Sequence, residues 1–144
     1  MSSFKCEKAR FEEYLRKDSF VDHNSRVGRV FLFVHKRNRQ ILGFVTIAMN
    51  HLPREKHFIL EKMTSYGNVP ELLLGQLARH YDYQKMGVGR FMLDWVMDHA
   101  IKLSFKVGCR LIIVQSDEDK VDWYVKNGFT LVKGSKNKLF LDIL

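Results

Sequence analysis

Residues 76–93 read QLARHYDYQKMGVGRFML. The stretch leaves an apolar, strand-like segment, crosses two glycines and enters a helical pattern. Three phosphate-gripping arrangements compete for Gly87 and Gly89. A Walker loop requires G-x-x-x-x-G-K-[ST], and Arg90-Phe91 cannot supply that ending. A dinucleotide fold places its glycine motif near the first strand and needs a third glycine for close helix packing, where this chain has Met92. What remains is a turn whose backbone N–H groups, at the start of a helix, hold a diphosphate. Gly87 allows a tight bend and lets an anion approach the backbone. Gly89 keeps the first helical turn clear of a side chain, and Lys85 and Arg90 add positive charge. A purely structural strand–glycine–helix junction is the competing reading.

The surrounding pattern gives the junction a context. The periodicity predicts a helix over 6–17, with Phe11, Tyr14 and Leu15 on one side. RVFLFVH (29–35) and ILGFVTIAM (41–49) predict a hairpin joined through KRNRQ. Residues 50–70 read as irregular, with Pro53 and Pro70 as breakers around one helical turn. ELLLGQLARH (71–80) is too apolar for a sheet edge and predicts a central strand. Val88, Phe91, Met92, Trp95, Val96, His99, Ala100 and Leu103 form an unbroken apolar stripe at helical spacing, which Gly108 closes. CRLIIVQ (109–115) predicts a buried strand. Ser116 or Asp117 is expected to cap a short helix ending at Asn127-Gly128, and FTLV and KLFLDIL close the chain as strands. The order of elements specifies an α/β domain with a mixed sheet, expected to be one domain over residues 1–144.

Of 144 residues, 24 are Lys or Arg and 16 are Asp or Glu, a net charge of +8. Basic runs at 16–18, 35–39 and 133–138 are either solvated turns or a surface for a phosphate-rich partner, a nucleotide cofactor or RNA. No apolar run reaches the ~18 residues of a membrane span, and the first residues lack a signal-peptide core. The expected location is cytoplasmic, without membrane association. Cys6 and Cys109 are too few for a disulfide framework or a metal site, and are expected to be inert thiols.

Q-x-x-G-x-G after a central strand, an amphipathic helix, and then W-Y-x-x-N-G-F (123–129) resemble the GCN5-related N-acetyltransferases, the GNAT family. The resemblance implies a mostly antiparallel central sheet flanked by helices and splayed at an acetyl-CoA site, with acetyl-CoA as cosubstrate and no metal. It implies that Gln84, Lys85, Met86, Gly87, Val88, Gly89 and Arg90 hold the cofactor pyrophosphate. Leu77, Ala78 and Arg79 would pair through their backbone with the pantetheine arm. Tyr124 would be the catalytic residue that protonates the departing thiolate, since a phenol near ~10 is close enough to a thiol near ~8.5 for useful transfer. A helix aromatic with no chemical role is the alternative for Tyr124. Glu71 and His80 are the candidate bases, although an α-amine near ~8 needs no strong one.

A narrower resemblance runs along nearly the whole chain: Phe4 and Cys6, F-x-x-Y-L at 11–15, ILGFVTIA at 41–48, Y-x-x-V-P-x-L-L-L-G-Q-L-A at 66–78, and LFLDIL at 139–144. These are similar to the toxins of toxin–antitoxin pairs that acetylate the α-amine of aminoacyl-tRNA. The resemblance implies tRNA as acceptor and a ribbon-helix-helix antitoxin as partner, and is compatible with a homodimer. The chain departs from the subgroup's L-A-V-D at Arg79 and His80, from its first loop glycine at Lys85, and from its commoner Phe at Trp123. Acetylation of a protein N-terminus, a lysine or a small amine is the same-fold alternative. A CoA- or RNA-binding module without turnover is the other.

Overall fold

The computed structural model describes residues 4–53, 67–83 and 85–144. The elements are α1 (Ala9–Lys17), α2 (Ser19–Ser25), β1 (Arg29–Val34), β2 (Ile41–Pro53), β3 (Asn68–Arg79), α3 (Val88–Ser104), β4 (Leu111–Gln115), α4 (Val121–Lys126), β5 (Thr130–Leu131) and β6 (Lys138–Asp142). The strand order is β1-β2-β3-β4-β6-β5, which puts the apolar β3 between two neighbours, as its composition requires. β1–β2, β4–β6 and β5–β6 are antiparallel, and β3–β4 is parallel. The mixed, mostly antiparallel sheet with helices is the expected α/β class.

The chain divides into two compact units, 1–48 with 75–96 and 49–74 with 97–144. In the first unit the hairpin strands carry apolar residues on both faces. Val30 and Phe44 pack with Phe4, Phe11, Tyr14, Leu15, Ile41 and Ala78. The opposite face sends Phe31 and Phe33 onto Trp95 of α3, with ring centroids 4.6 and 5.5 Å apart. This unit is therefore a strand layer between α1 and the first half of α3. Gly43 is needed where β2 meets β3 and α3, since a Cβ there would lie 2.6 Å from the Ala78 carbonyl and 2.6 Å from the Met92 sulfur.

In the second unit Val69, Leu111, Ile113 and Val132 form a core with Leu73 and Phe140 packed against it. Arg110 makes a bidentate pair with Asp142, at 2.7 and 2.9 Å, joining the residue before β4 to β6. That geometry is the strong form of a carboxylate–guanidinium contact.

Several expectations change. α2 has no counterpart in the sequence pattern. β2 runs on to Pro53 and β3 begins at Asn68, so the ends of the 50–70 segment are strand; its proposed helical turn lies outside the described residues. Neither Ser116 nor Asp117 caps a helix through its side chain. A 3-10 turn, Glu118–Lys120, comes first, and the Ser116 hydroxyl donates to the Asp117 carbonyl instead. On α3 the buried side chains are Met92, Leu93, Val96 and Ala100, whereas Phe91, expected in the core, is 62% exposed. No helix among the described residues is long and apolar enough to cross a membrane.

Candidate functional site

β3 delivers the chain to the site. Its parallel ladder with β4 covers Glu71 to Leu74, opposite Leu111 to Val114, while β3 itself continues through Gly75–Arg79. Leu77, Ala78 and Arg79 occupy this overhanging end; Ala78 is buried and the other two are half-buried. After His80 a 3-10 turn, Tyr81–Tyr83, redirects the chain into Lys85-Met86-Gly87 and α3. Gln84 lies outside the described residues.

Gly87 has φ of 74°, a conformation L side chains rarely adopt. It is exposed, and a Cβ built on it meets nothing within 4 Å. The turn is thus reserved for glycine by its backbone and is open in front. At the head of α3 the Phe91 N–H donates to the Gly87 carbonyl at 3.0 Å. The N–H groups of Val88 and Gly89 come just before it, in the first turn of the helix, where backbone donors point out of the helix start. Their direction and the helix dipole favour a bound anion. Gly89 is buried and Lys85 exposed. Arg90 pairs with Asp94 one turn further on, at 2.9 Å, so part of its charge is already answered. Beside the turn, Phe33, Val34, Leu42, Met86, Gly87, Val88 and Phe91 line a recess of about 420 Å³.

His80, a candidate base in the sequence, is 2% exposed and tied at both ring nitrogens, to the Asp82 N–H at 3.2 Å and to the Gln40 amide at 3.3 Å. A ring so placed has no open nitrogen edge for an incoming amine.

Tyr124 and Glu71 belong to the second unit. Tyr124 is 6% exposed on α4, edge-on to Trp123 and Phe129 with centroids 4.9 and 5.3 Å away. Burial, and then the Asp117 charge, push its phenol above the ordinary tyrosine value. Its proton is held more tightly than that of an exposed phenol, widening the gap to a thiol. Glu71 is wholly buried, and neither carboxylate oxygen has a hydrogen-bond partner among the described residues. Desolvation raises its pKa to about 7, opposed by the Lys138 charge. Nothing in the sequence pattern marks this residue as a buried charge. An apolar strand with one Glu at its start looks the same whether that Glu faces core or solvent.

Both cysteines are free, and burial raises both thiols above their ordinary range, so each stays protonated and unreactive. Among the described residues no cluster of His, Cys, Asp or Glu could hold a metal.

The family model for an acetyltransferase (GNAT) domain matches residues 28–131. The chain belongs to the GNAT acetyltransferase family. As a member it is an acetyl-CoA-dependent N-acetyltransferase. Similar solved structures include AtaT complexed with acetyl-methionyl-tRNAfMet, at 24% identity and TM-score 0.91, covering 98% of this chain and 86% of that one. A tyrosine-to-phenylalanine variant of KacT matches at 24% identity and TM-score 0.92, over 99% and 86% of the two chains. An AtaT variant bound to the C-terminus of the antitoxin AtaR and acetyl-CoA matches at 22% identity and TM-score 0.82, over 99% and 84%. These likenesses establish the GNAT fold. No curated protein matches the chain by sequence.

Proposed function

We propose that this GNAT enzyme is a cytosolic toxin that acetylates the α-amine of aminoacyl-tRNA and is held in check by an antitoxin, of the ribbon-helix-helix type that the sequence resemblance implies. The observation that carries the reading is the near full-length likeness to AtaT, whose structure is a complex with acetyl-methionyl-tRNAfMet. The net charge of +8 fits a polyanionic acceptor better than a small amine.

In this reading the turn of Lys85, Met86, Gly87, Val88, Gly89 and Arg90, with Gln84, receives the acetyl-CoA diphosphate on backbone donors, and Lys85 supplies the less encumbered charge. The overhanging β3 end, Leu77-Ala78-Arg79, offers strand-edge backbone to the pantetheine amides. A backbone N–H near Ala78 or Arg79 donates to the thioester oxygen as it gains charge. The neutral α-amine attacks the carbonyl carbon, the C–S bond breaks, and the amine nitrogen sheds one proton. Tyr124 donates its hydrogen bond to the leaving sulfur. With its pKa raised it shares the proton rather than ionising fully, and the sulfur is finally protonated as the amine's proton is passed on. An α-amine near ~8 is substantially neutral at cellular pH, so no strong base is needed.

The deciding experiment follows radiolabelled acetyl from acetyl-CoA into charged total tRNA, the same tRNA deacylated, and ribosomal protein. Label confined to charged tRNA is the expected result. Label in protein would move the acceptor to a peptide amine and leave the GNAT activity standing.

A further inference from the structure

His80 sits where β3 ends and the cofactor turn begins, and its backbone and ring fasten the two together. The His80 N–H donates to the Leu42 carbonyl of β2 at 2.6 Å. The His80 carbonyl accepts the Tyr83 N–H at 3.0 Å, and the Tyr83 carbonyl accepts the Met86 N–H at 3.2 Å. One residue later the Gly87 carbonyl opens α3. A continuous run of bonds thus leads from β2 to the turn.

The ring closes the same segment from inside. Nδ1 accepts the Asp82 N–H at 3.2 Å, and Nε2 lies 3.3 Å from the Gln40 amide, whose other end meets the Tyr83 hydroxyl at 2.7 Å. The imidazole stacks on Tyr81 at 5.4 Å and meets Tyr83 and Phe4 edge-on at 5.7 and 5.8 Å. Asp82 Oδ2 is 3.7 Å from Nδ1, beyond a direct hydrogen bond.

The backbone contact at Nδ1 bears on where the ring carries its hydrogen. A neutral imidazole whose Nδ1 accepts from a backbone N–H carries its hydrogen on Nε2. That tautomer pairs with the Gln40 amide turned so that its carbonyl oxygen faces Nε2 and its NH2 the Tyr83 oxygen, the reverse of the orientation in which the Tyr83 hydroxyl donates to Gln40 Oε1. Amide oxygen and nitrogen exchange places without disturbing either distance.

We propose that His80 is the positioning residue of the cofactor turn: its ring, accepting at Nδ1 and carrying its hydrogen on Nε2, sets the Tyr81–Tyr83 turn and the Met86–Gly87 bend for the acetyl-CoA diphosphate and takes no proton from the amine. The inference rests on the proposed assignment of the Gly87 turn to that diphosphate.

Three variants and one spectrum test it. His80→Ala removes both ring contacts; acetyl-CoA binding by calorimetry is expected to weaken about tenfold, with kcat at saturating acetyl-CoA nearly unchanged. His80→Asn keeps an acceptor for the Asp82 N–H and should recover most of the affinity, with the shape of the pH–rate profile unaltered. A base would behave in the opposite way: both variants would lose kcat with affinity intact, and the acidic limb of the profile would vanish. That result overturns the proposal. If His80→Ala fails to fold, long-range proton–nitrogen NMR of the parent decides, because a hydrogen found on Nδ1 refutes the arrangement and one on Nε2 upholds it. Gly87→Val separates the two readings. If it leaves acetyl-CoA affinity unaltered, the turn assignment itself falls; if it weakens affinity while His80→Ala does not, only the positioning role of His80 falls.

Discussion

Tyr124 and Glu71 show how burial, rather than residue type, sets what a titratable group does. Tyr124→Phe removes one hydroxyl from a packed aromatic cluster, so the fold should tolerate it. Turnover is expected to drop at least about tenfold, with acetyl-CoA affinity nearly unchanged in calorimetry. Undiminished turnover would remove Tyr124 from the chemistry. Because its pKa is raised, the phenol remains protonated through the whole working range, and the parent's pH–rate profile should show no alkaline loss from Tyr124 up to about pH 9. Glu71 acts on stability. Its folded pKa of about 7 lies above the ordinary 4.5, so the fold disfavours the charged form. The resulting penalty is absent at low pH, grows as pH rises from 4.5 to 7, and is constant above, where it amounts to roughly 3 kcal/mol. Glu71→Gln carries no charge to desolvate. Measured by denaturant midpoint, its stability relative to the parent should improve between about pH 5 and about pH 8, and a pH-independent difference would contradict the buried-charge account.

At the scale of elements, the junction of β2, β3 and α3 leaves no room for a side chain at Gly43. Gly43→Ala brings a methyl to 2.6 Å from both the Ala78 carbonyl and the Met92 sulfur. The sulfur arm can move, but the strand carbonyl cannot without shifting β3. The expected cost is about 1–3 kcal/mol in thermal or chemical unfolding, with acetyl-CoA affinity reduced because Ala78 and its neighbours shift. The cost should fall when Met92→Ala is added; an additive loss would show the backbone clash alone to be limiting. The hairpin, β3 and β4 are legible in the sequence because their apolar runs are long and their breakers clear. α2 is not, since SFVDHNS is a seven-residue helix that leaves Phe20 and Val21 73% and 63% exposed and so carries no apolar stripe. The stripe on α3 has the period that the sequence shows but a displaced centre. Leu93 takes the buried place expected for Phe91, which instead meets Phe33 edge-on at the rim, 5.9 Å away. Of the site, the glycine turn is readable from residue type because φ of 74° needs glycine. The fixed role of His80 is not, because it depends on Gln40, a residue distant in sequence that only the fold brings to the ring.

For the whole molecule, the surplus of eight positive charges is the property that a reading limited to acetyl-CoA leaves unexplained. In the proposed assignment the glycine turn accounts for Lys85 and for Arg90, which is partly answered by Asp94. Lys36, Arg37 and Arg39 are exposed at the β1–β2 turn, and Lys133 and Lys136 are exposed before β6. If charged tRNA is the acceptor, some of these cations displace counterions from its phosphates, and kcat/KM for tRNA must fall with salt as a power law. Replacing Lys36 and Arg37 together by Gln should raise KM for charged tRNA and lower that salt slope by roughly one for each phosphate left without its cation. KM for acetyl-CoA should hold, because neither residue is among those lining the recess beside the glycine turn. The same double replacement at Lys133 and Lys136 separates a directed contact from a change in net charge. Equal loss of tRNA affinity from both pairs means the tRNA responds to the overall field, whereas an effect of one pair alone marks the basic turn that touches it. A slope that neither pair changes would leave the charge without a role in acceptor binding, and with it the main physical reason for preferring RNA over a peptide amine.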